Sequence, residues 1–321
     1  MKKITSILIA CAVLFTFAFP SFAESADKLD IVCTTFPQYD WVMNVLGDRA
    51  ADANITLLLD NGVDLHSYQP SAADIAKISS CDLFIYVGGE SDVWVDDVIA
   101  AAANPNIVAL SMLASVEAKE EQVVEGMQAE EEEEAESNVE AEIEYDEHVW
   151  LSLRFAQTIT QAIADELAAL DPDGAQTYQK NATAYIARLA DLDAQYQAMV
   201  DSAARKTVLF ADRFPFRYMA DDYGLTYYAA FVGCSAETEA SFETVAFLAG
   251  KVDELQLPAV LVIEGATHKI AETVVAETAA KDAKILVMDS LQSVTSEDIA
   301  GGATYLDAMA ANLATLTEAL N

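Results

Sequence analysis

Residues 175–202 read AQTYQKNATAYIARLADLDAQYQAMVDS, and this stretch decides how the rest of the chain divides. Tyr178, Ala182, Tyr185, Ile186, Leu189, Leu192, Tyr196 and Met199 recur at three- to four-residue spacing, which predicts one amphipathic helix. At about 1.5 Å per residue such a helix is roughly 40 Å long, close to the span of two lobes. Another helix is predicted just before it, over Val149–Leu170, and Asp171-Pro172-Asp173-Gly174 separates the two.

Both sides of the long helix alternate short apolar runs with helical patterns. The first side predicts strands at Leu29–Thr34, Ile55–Leu59, Leu83–Val87 and Ile107–Leu110, with helices beginning near Trp41, Pro70 and Val93. The second side predicts strands at Thr207–Phe210, Tyr227–Phe231, Ala259–Ile263 and Ile285–Met288. Its helices are expected at Tyr218–Tyr223, Phe242–Leu255, Lys269–Thr278 and Tyr305–Leu320. Strand–helix alternation at this spacing implies parallel sheets with helices on both faces. The expected fold is α/β: two similar α/β lobes joined by one long backbone helix. Ligands of open α/β sheets sit at the carboxyl ends of strands, so the cleft between the lobes is the expected site.

The expected division is a signal peptide over 1–23, an N-terminal lobe over 24–170, a linking helix over 171–204 and a C-terminal lobe over 205–321. Lys2 and Lys3 precede the apolar run Ile4–Phe19, and Ser21-Phe22-Ala23 offers the small-x-small pattern that signal peptidase cleaves. The protein is therefore expected to be exported. Leu8-Ile9-Ala10-Cys11 has the order of a lipobox, but apolar residues follow Cys11 where a polar tether is usual, so a lipid anchor is the disfavoured alternative. Cys33, Cys81 and Cys234 remain after cleavage; their spacing fits no zinc motif, and buried thiols are favoured over a Cys33–Cys81 disulfide.

Acidic residues number 53 against 17 basic ones, a net charge of -36. Nucleic acid and anionic lipid are repelled by such a chain, so nucleic acid is excluded as a partner. Glutamate dominates residues 117–147, a segment with little to anchor a core, and the expectation is a mobile loop.

The chain has three histidines. His66 lies in Asp60-Asn61-Gly62-Val63-Asp64-Leu65-His66-Ser67-Tyr68-Gln69-Pro70, a loop between a strand and a helix. His148 lies where the acidic segment meets a helix, and His268 stands at a helix start. Taken singly, each reads more plainly as a solvent-facing or helix-start residue. Asp289 follows the strand Ile285–Met288, where an N-cap or turn role is the plain alternative. Two imidazoles and a carboxylate nevertheless suit a borderline cation, with oxygen donors shifting preference from zinc toward manganese.

Three segments carry a family resemblance: Gly62–Ser71, Asp146-Glu147-His148-Val149-Trp150-Leu151-Ser152 and Val287-Met288-Asp289-Ser290-Leu291. With them the whole mature chain resembles the zinc and manganese solute-binding receptors of ABC importers, the cluster A-I class. The resemblance implies that His66, His148 and Asp289 meet on one divalent metal, zinc or alternatively manganese, carried as cargo to an ABC permease. It also implies a monomer and a non-enzymatic role. In the family a further histidine or glutamate ligand precedes a segment ending near Tyr-Gly-Leu. Counting back from Leu225 puts Arg213 there, and a guanidinium has no lone pair to offer. Asp212 is the expected substitute ligand, with Arg213 turned toward Glu237 or Glu239; three ligands plus water is the alternative. Where zinc-type relatives often carry a histidine-rich loop, this chain has carboxylates.

Two rival functions differ in class. A surface adhesin or structural protein of the same fold would share every feature above. A zinc-dependent hydrolase would need an open metal position and a general base. The chain has no His-Glu-x-x-His, serine elbow or phosphate loop, and Glu147 beside His148 is its one candidate base.

Overall fold

The computed structural model describes residues 28–128, 144–235, 239–265 and 267–321. The expected signal peptide and Cys11 lie outside the described residues, as do Glu237 and most of the glutamate-rich run.

The first half contains β1 (Leu29–Cys33), α1 (Phe36–Leu46), β2 (Ala53–Leu57), α2 (Ala72–Ser80), β3 (Leu83–Tyr86), α3 (Val95–Ala100) and β4 (Val108–Ser111). Two helices follow, α4 (Leu153–Leu170) and α5 (Ala175–Ser202). The second half comprises β5 (Thr207–Phe214), α6 (Arg217–Tyr223), β6 (Thr226–Val232), α7 (Phe242–Leu255), β7 (Ala259–Ile263), α8 (Lys269–Glu277), β8 (Lys284–Met288), α9 (Ser296–Ala300) and α10 (Tyr305–Leu320).

Each half builds a four-stranded parallel sheet, in the orders β2-β1-β3-β4 and β6-β5-β7-β8. Taking the strands of each half in sequence, the two orders are the same, so the halves repeat one topology. All five residues of β7 are buried, as expected of a parallel strand covered on both faces. One apolar core runs from the first sheet through α1, α4, α5 and α10 to the second sheet. A smaller core, including Leu209, Val260 and Val262, lies under α7 and α8.

The long helix α5 is fixed to both halves. Tyr185 Oη donates to Asp40 Oδ2 on α1 at 2.9 Å, and Tyr196 Oη donates to the Met309 carbonyl on α10 at 2.6 Å. Asn181 Nδ2 also donates to the Val45 carbonyl at 3.0 Å. These hydroxyls and this amide sit on the face that apolar spacing assigns to the interior.

Three elements depart from the sequence expectation. The predicted helix Val149–Leu170 is split, because Ser152 is extended and its Oγ accepts the Phe155 N–H, so α4 starts at Leu153. Val149–Leu151 is a single 3₁₀ turn. β5 continues four residues past the predicted Phe210, with a register slip between Phe210 and Arg213. Such a bulge re-aims side chains. Third, the outer parts of the glutamate-rich segment are built into the fold rather than loose. Glu120 and Tyr145 form an antiparallel bridge, while Asp146 and Glu147 are buried.

Candidate metal centre

Four chain segments converge at the carboxyl ends of their strands. The loop after β2 carries Asp64, whose Oδ1 accepts the His66 N–H at 3.0 Å and starts the short 3₁₀ turn Leu65–Ser67. That turn presents His66. The loop after β3 carries Gly89 and Ser91. The returning end of the acidic segment brings Asp146, Glu147 and His148. The loop after β6 brings Gly233 and Cys234.

The two imidazoles meet at their Nε2 atoms, 3.1 Å apart. Each ring is also held at Nδ1. His148 Nδ1 lies 3.0 Å from Asp146 Oδ1, which also accepts the His148 N–H at 2.9 Å. His66 Nδ1 lies 2.9 Å from Ser91 Oγ and 3.5 Å from Glu147 Oε2. An imidazole that donates from Nδ1 presents its Nε2 lone pair outward, the arrangement of metal-binding histidines. Two nitrogens each about 2.0–2.1 Å from a tetrahedral zinc stand roughly 3.3 Å apart, so the observed spacing suits two ligands of one ion.

The surroundings keep His66 neutral and place several carboxyl groups nearby. Burial, with His148 and Arg213 nearby, pushes His66 down to about 3, so its ring is uncharged at neutral pH. Burial pushes Glu147 up to about 7, even though Ser91 N–H donates to its Oε1 at 2.8 Å. Its other oxygen, Oε2, is buried with no hydrogen-bond partner. A cavity of about 290 Å³ opens here, lined by His66, Cys234 and the glutamates Glu90, Glu121, Glu144 and Glu147.

Close approach of the loops depends on two glycines. Gly89 has φ +87°, and a Cβ there would come within 2.5 Å of Glu147 Oε1. A Cβ on Gly233 would stand 3.0 Å from both Cε1 and Nδ1 of His148. Lack of a side chain at 233 lets the β6 loop lie against the His148 ring.

Among the described residues one group can hold a metal: His66, His148 and Cys234, whose ligand atoms all lie within 4.8 Å of one another. Two of the four expected ligands are thus brought together. Asp289 and Asp212 stand outside the group. Asp289 follows β8, where its Oδ1 accepts the Leu291 N–H at 2.8 Å. Burial raises its carboxyl above the usual range, with Asp298 adding to the shift. Asp212 lies in the β5 bulge; its Oδ2 accepts the Ile263 N–H of β7 at 3.3 Å, and burial raises it too.

Arg213 pairs with Asp64: its Nη2 donates to Asp64 Oδ2 at 2.6 Å, across the two halves, while the expected partner Glu237 lies outside the described residues. Burial acts upward on Asp64, yet Arg213 holds its carboxyl below the usual range. Cys33, Cys81 and Cys234 are all free, so the favoured reading of buried thiols describes Cys33 and Cys81. Sequence reasoning passed over Cys234. Its signal was the Gly-Cys pair two residues after a predicted strand, the same kind of position that made His66 and Asp289 candidates.

Over residues 31–319 the chain matches the family described as ZnuA, Zinc-uptake complex component A periplasmic. It is 31% identical over 318 residues to the zinc-binding lipoprotein AdcA of Streptococcus pneumoniae (strain ATCC BAA-255 / R6), covering 99% of this chain and 61% of AdcA. The chain thus spans about three fifths of the length of the first curated relatives it matches. It is 30% identical over 297 residues to the high-affinity zinc uptake system protein ZnuA of Bacillus subtilis (strain 168), covering 92% of this chain and 89% of that protein. The crystal structure of the Zn(II)-bound ZnuA-like domain of S. pneumoniae AdcA superposes with a TM-score of 0.72 at 30% identity, covering 91% of this chain and 99% of that one. Among the described residues no helix is long and apolar enough to cross a membrane. With the family match running from the first strand to the last helix, and the two-sheet fold shared with these relatives, the chain belongs to the zinc-uptake complex component A family.

Proposed function

We propose that this protein is an exported receptor that captures a divalent metal, zinc in preference to manganese, and delivers it to an ABC permease. One observation carries the reading: two imidazoles from separate segments face each other at 3.1 Å, each oriented from behind by a hydrogen-bond partner. The glutamate-lined cavity supports it, because a mouth of one sign concentrates cations and speeds their arrival. Membership of an uptake family supports a binding role over a catalytic one. The receptor acts as a monomer, with both lobes facing the permease, on the outer side of the cytoplasmic membrane; a lipid anchor is not part of the proposal.

His66 and His148 are the proposed nitrogen ligands. Asp289 is the proposed carboxylate from the second lobe, supported by its place at the end of β8, where it needs to give up only one backbone hydrogen bond. Asp212 is weaker, since ligation there requires its bond to β7 to open.

Calorimetric titration of chelator-stripped protein with zinc and with manganese tests this. One zinc per chain should bind tightly and manganese weakly. His66→Ala should abolish tight binding, Asp289→Ala should weaken it, and Asp212→Ala should leave it nearly unchanged. Failure of the wild type to bind zinc sinks the receptor reading. A deletion strain that grows normally under zinc starvation sinks the transport role alone.

A further inference from the structure

Resting on the receptor reading, we propose that Cys234 is the third protein ligand, bound as a thiolate, and that its sulfur sets the site's preference for zinc over manganese. The group it completes rests on geometry: Sγ and one ring nitrogen each of His66 and His148 lie within 4.8 Å of one another. Cys234 is also held there from both sides. Its N–H donates to Glu121 Oε1 at 3.2 Å, and the next carbonyl, of Ser235, accepts Arg213 Nη1 at 3.4 Å. Just before it, Gly233 lets the backbone pack against the His148 ring.

Two other second-half residues, Arg213 and Asp212, are committed elsewhere. Arg213 spends its guanidinium on Asp64 and on the Ser235 carbonyl, and Asp212 bonds β7. Arg213 therefore acts as a positioning residue. It ties the His66 loop, through Asp64, to the Cys234 loop, so one side chain sets the distance between two ligands drawn from different lobes. Asp64 is shared between the His66 N–H and Arg213, one oxygen to each.

The chemistry follows from the donor set. On coordination the sulfur–metal bond forms and the thiol proton leaves to solvent; no oxidant or reductant is involved. Thiolate and imidazole suit a tetrahedral zinc ion, with the fourth place left for Asp289 or water. Manganese favours carboxylate, carbonyl and water oxygens. A shell of two imidazoles and one sulfur therefore rejects it.

Cobalt(II) is the probe, because a thiolate ligand gives it an intense near-ultraviolet charge-transfer absorption that nitrogen and oxygen ligands do not. Wild-type protein loaded with one equivalent of cobalt should show this band, and Cys234→Ser should bind cobalt without it. In Cys234→Ser zinc affinity should drop by about 10–100-fold or more, at least the range that loss of a supporting residue costs. Cys234→Asp should narrow the gap between zinc and manganese. Cobalt-saturated wild type without the band overturns the proposal, as does Cys234→Ser with unchanged zinc affinity; in both cases the receptor reading survives. Wild-type protein that binds neither zinc nor cobalt overturns both.

Discussion

Asp146 shows how one buried carboxylate orients a ligand. Its Oδ1 accepts both the backbone N–H and Nδ1 of His148, fixing the ring's rotation and leaving Nε2 facing the other imidazole. Both residues are almost inaccessible, at 2% and 0% exposure, so water cannot substitute. Asp146→Asn keeps an acceptor in place but removes its charge. Zinc affinity should fall about 10–100-fold, the usual cost of losing a partner that orients a metal-binding histidine, with the far-ultraviolet circular dichroism unchanged. Equal affinity in the variant would show that geometry alone, and not the negative charge, serves His148.

At the scale of elements, the break before α4 does more than start a helix. Ser152 Oγ accepts the Phe155 N–H at 3.0 Å and donates to Asp222 Oδ2, at the end of α6, at 2.6 Å. It caps α4 and ties it to the second lobe. Ser152→Ala should cost about 1–2 kcal/mol in urea denaturation, the upper range for a lost cap, because Asp222 also loses a partner. A change within the error of measurement would show that Arg154, 3.6 Å from Asp222, suffices alone. Much of this level was legible in the sequence. Strand and helix runs on either side of Ala175–Ser202 gave both sheets, because parallel strands buried on two faces leave long unbroken apolar runs. The legible signal fails where polar atoms decide. Nothing in the periodicity of Val149–Leu170 marks Ser152 as a cap. The polar residues Asp212 and Arg213 hid the end of β5, since a bulge has no apolar signature. His66 and His148 could be paired only through resemblance, because their meeting depends on how two loops return to one place. Cys234 escaped for the same reason, with no matching spacing to betray it.

For the whole molecule, α5 limits how the lobes can move. Tyr185 anchors it to α1 and Tyr196 anchors it to α10, and the core is continuous through it. Arg213 with Asp64, and the antiparallel bridge between Asn61 and Thr295, add ties across the cleft. Metal capture should then proceed by loop adjustment and not by wide closure. Small-angle scattering of chelator-stripped and zinc-loaded protein should give radii of gyration within about 1 Å of each other, the scale of preorganised binding. A larger compaction on loading would mean that the helix bends or the ties release.

The outer part of the acidic segment crosses to the second half and grips it. Glu121 receives the Cys234 N–H, Lys119 pairs with Asp221, and the Gln128 N–H donates to the Ala230 carbonyl. The thiol is encoded in one half, but its handhold is encoded in the other. A chimera that grafts the second half onto a relative's first half would inherit the sulfur and lose the grip, so the two halves must be exchanged together or not at all.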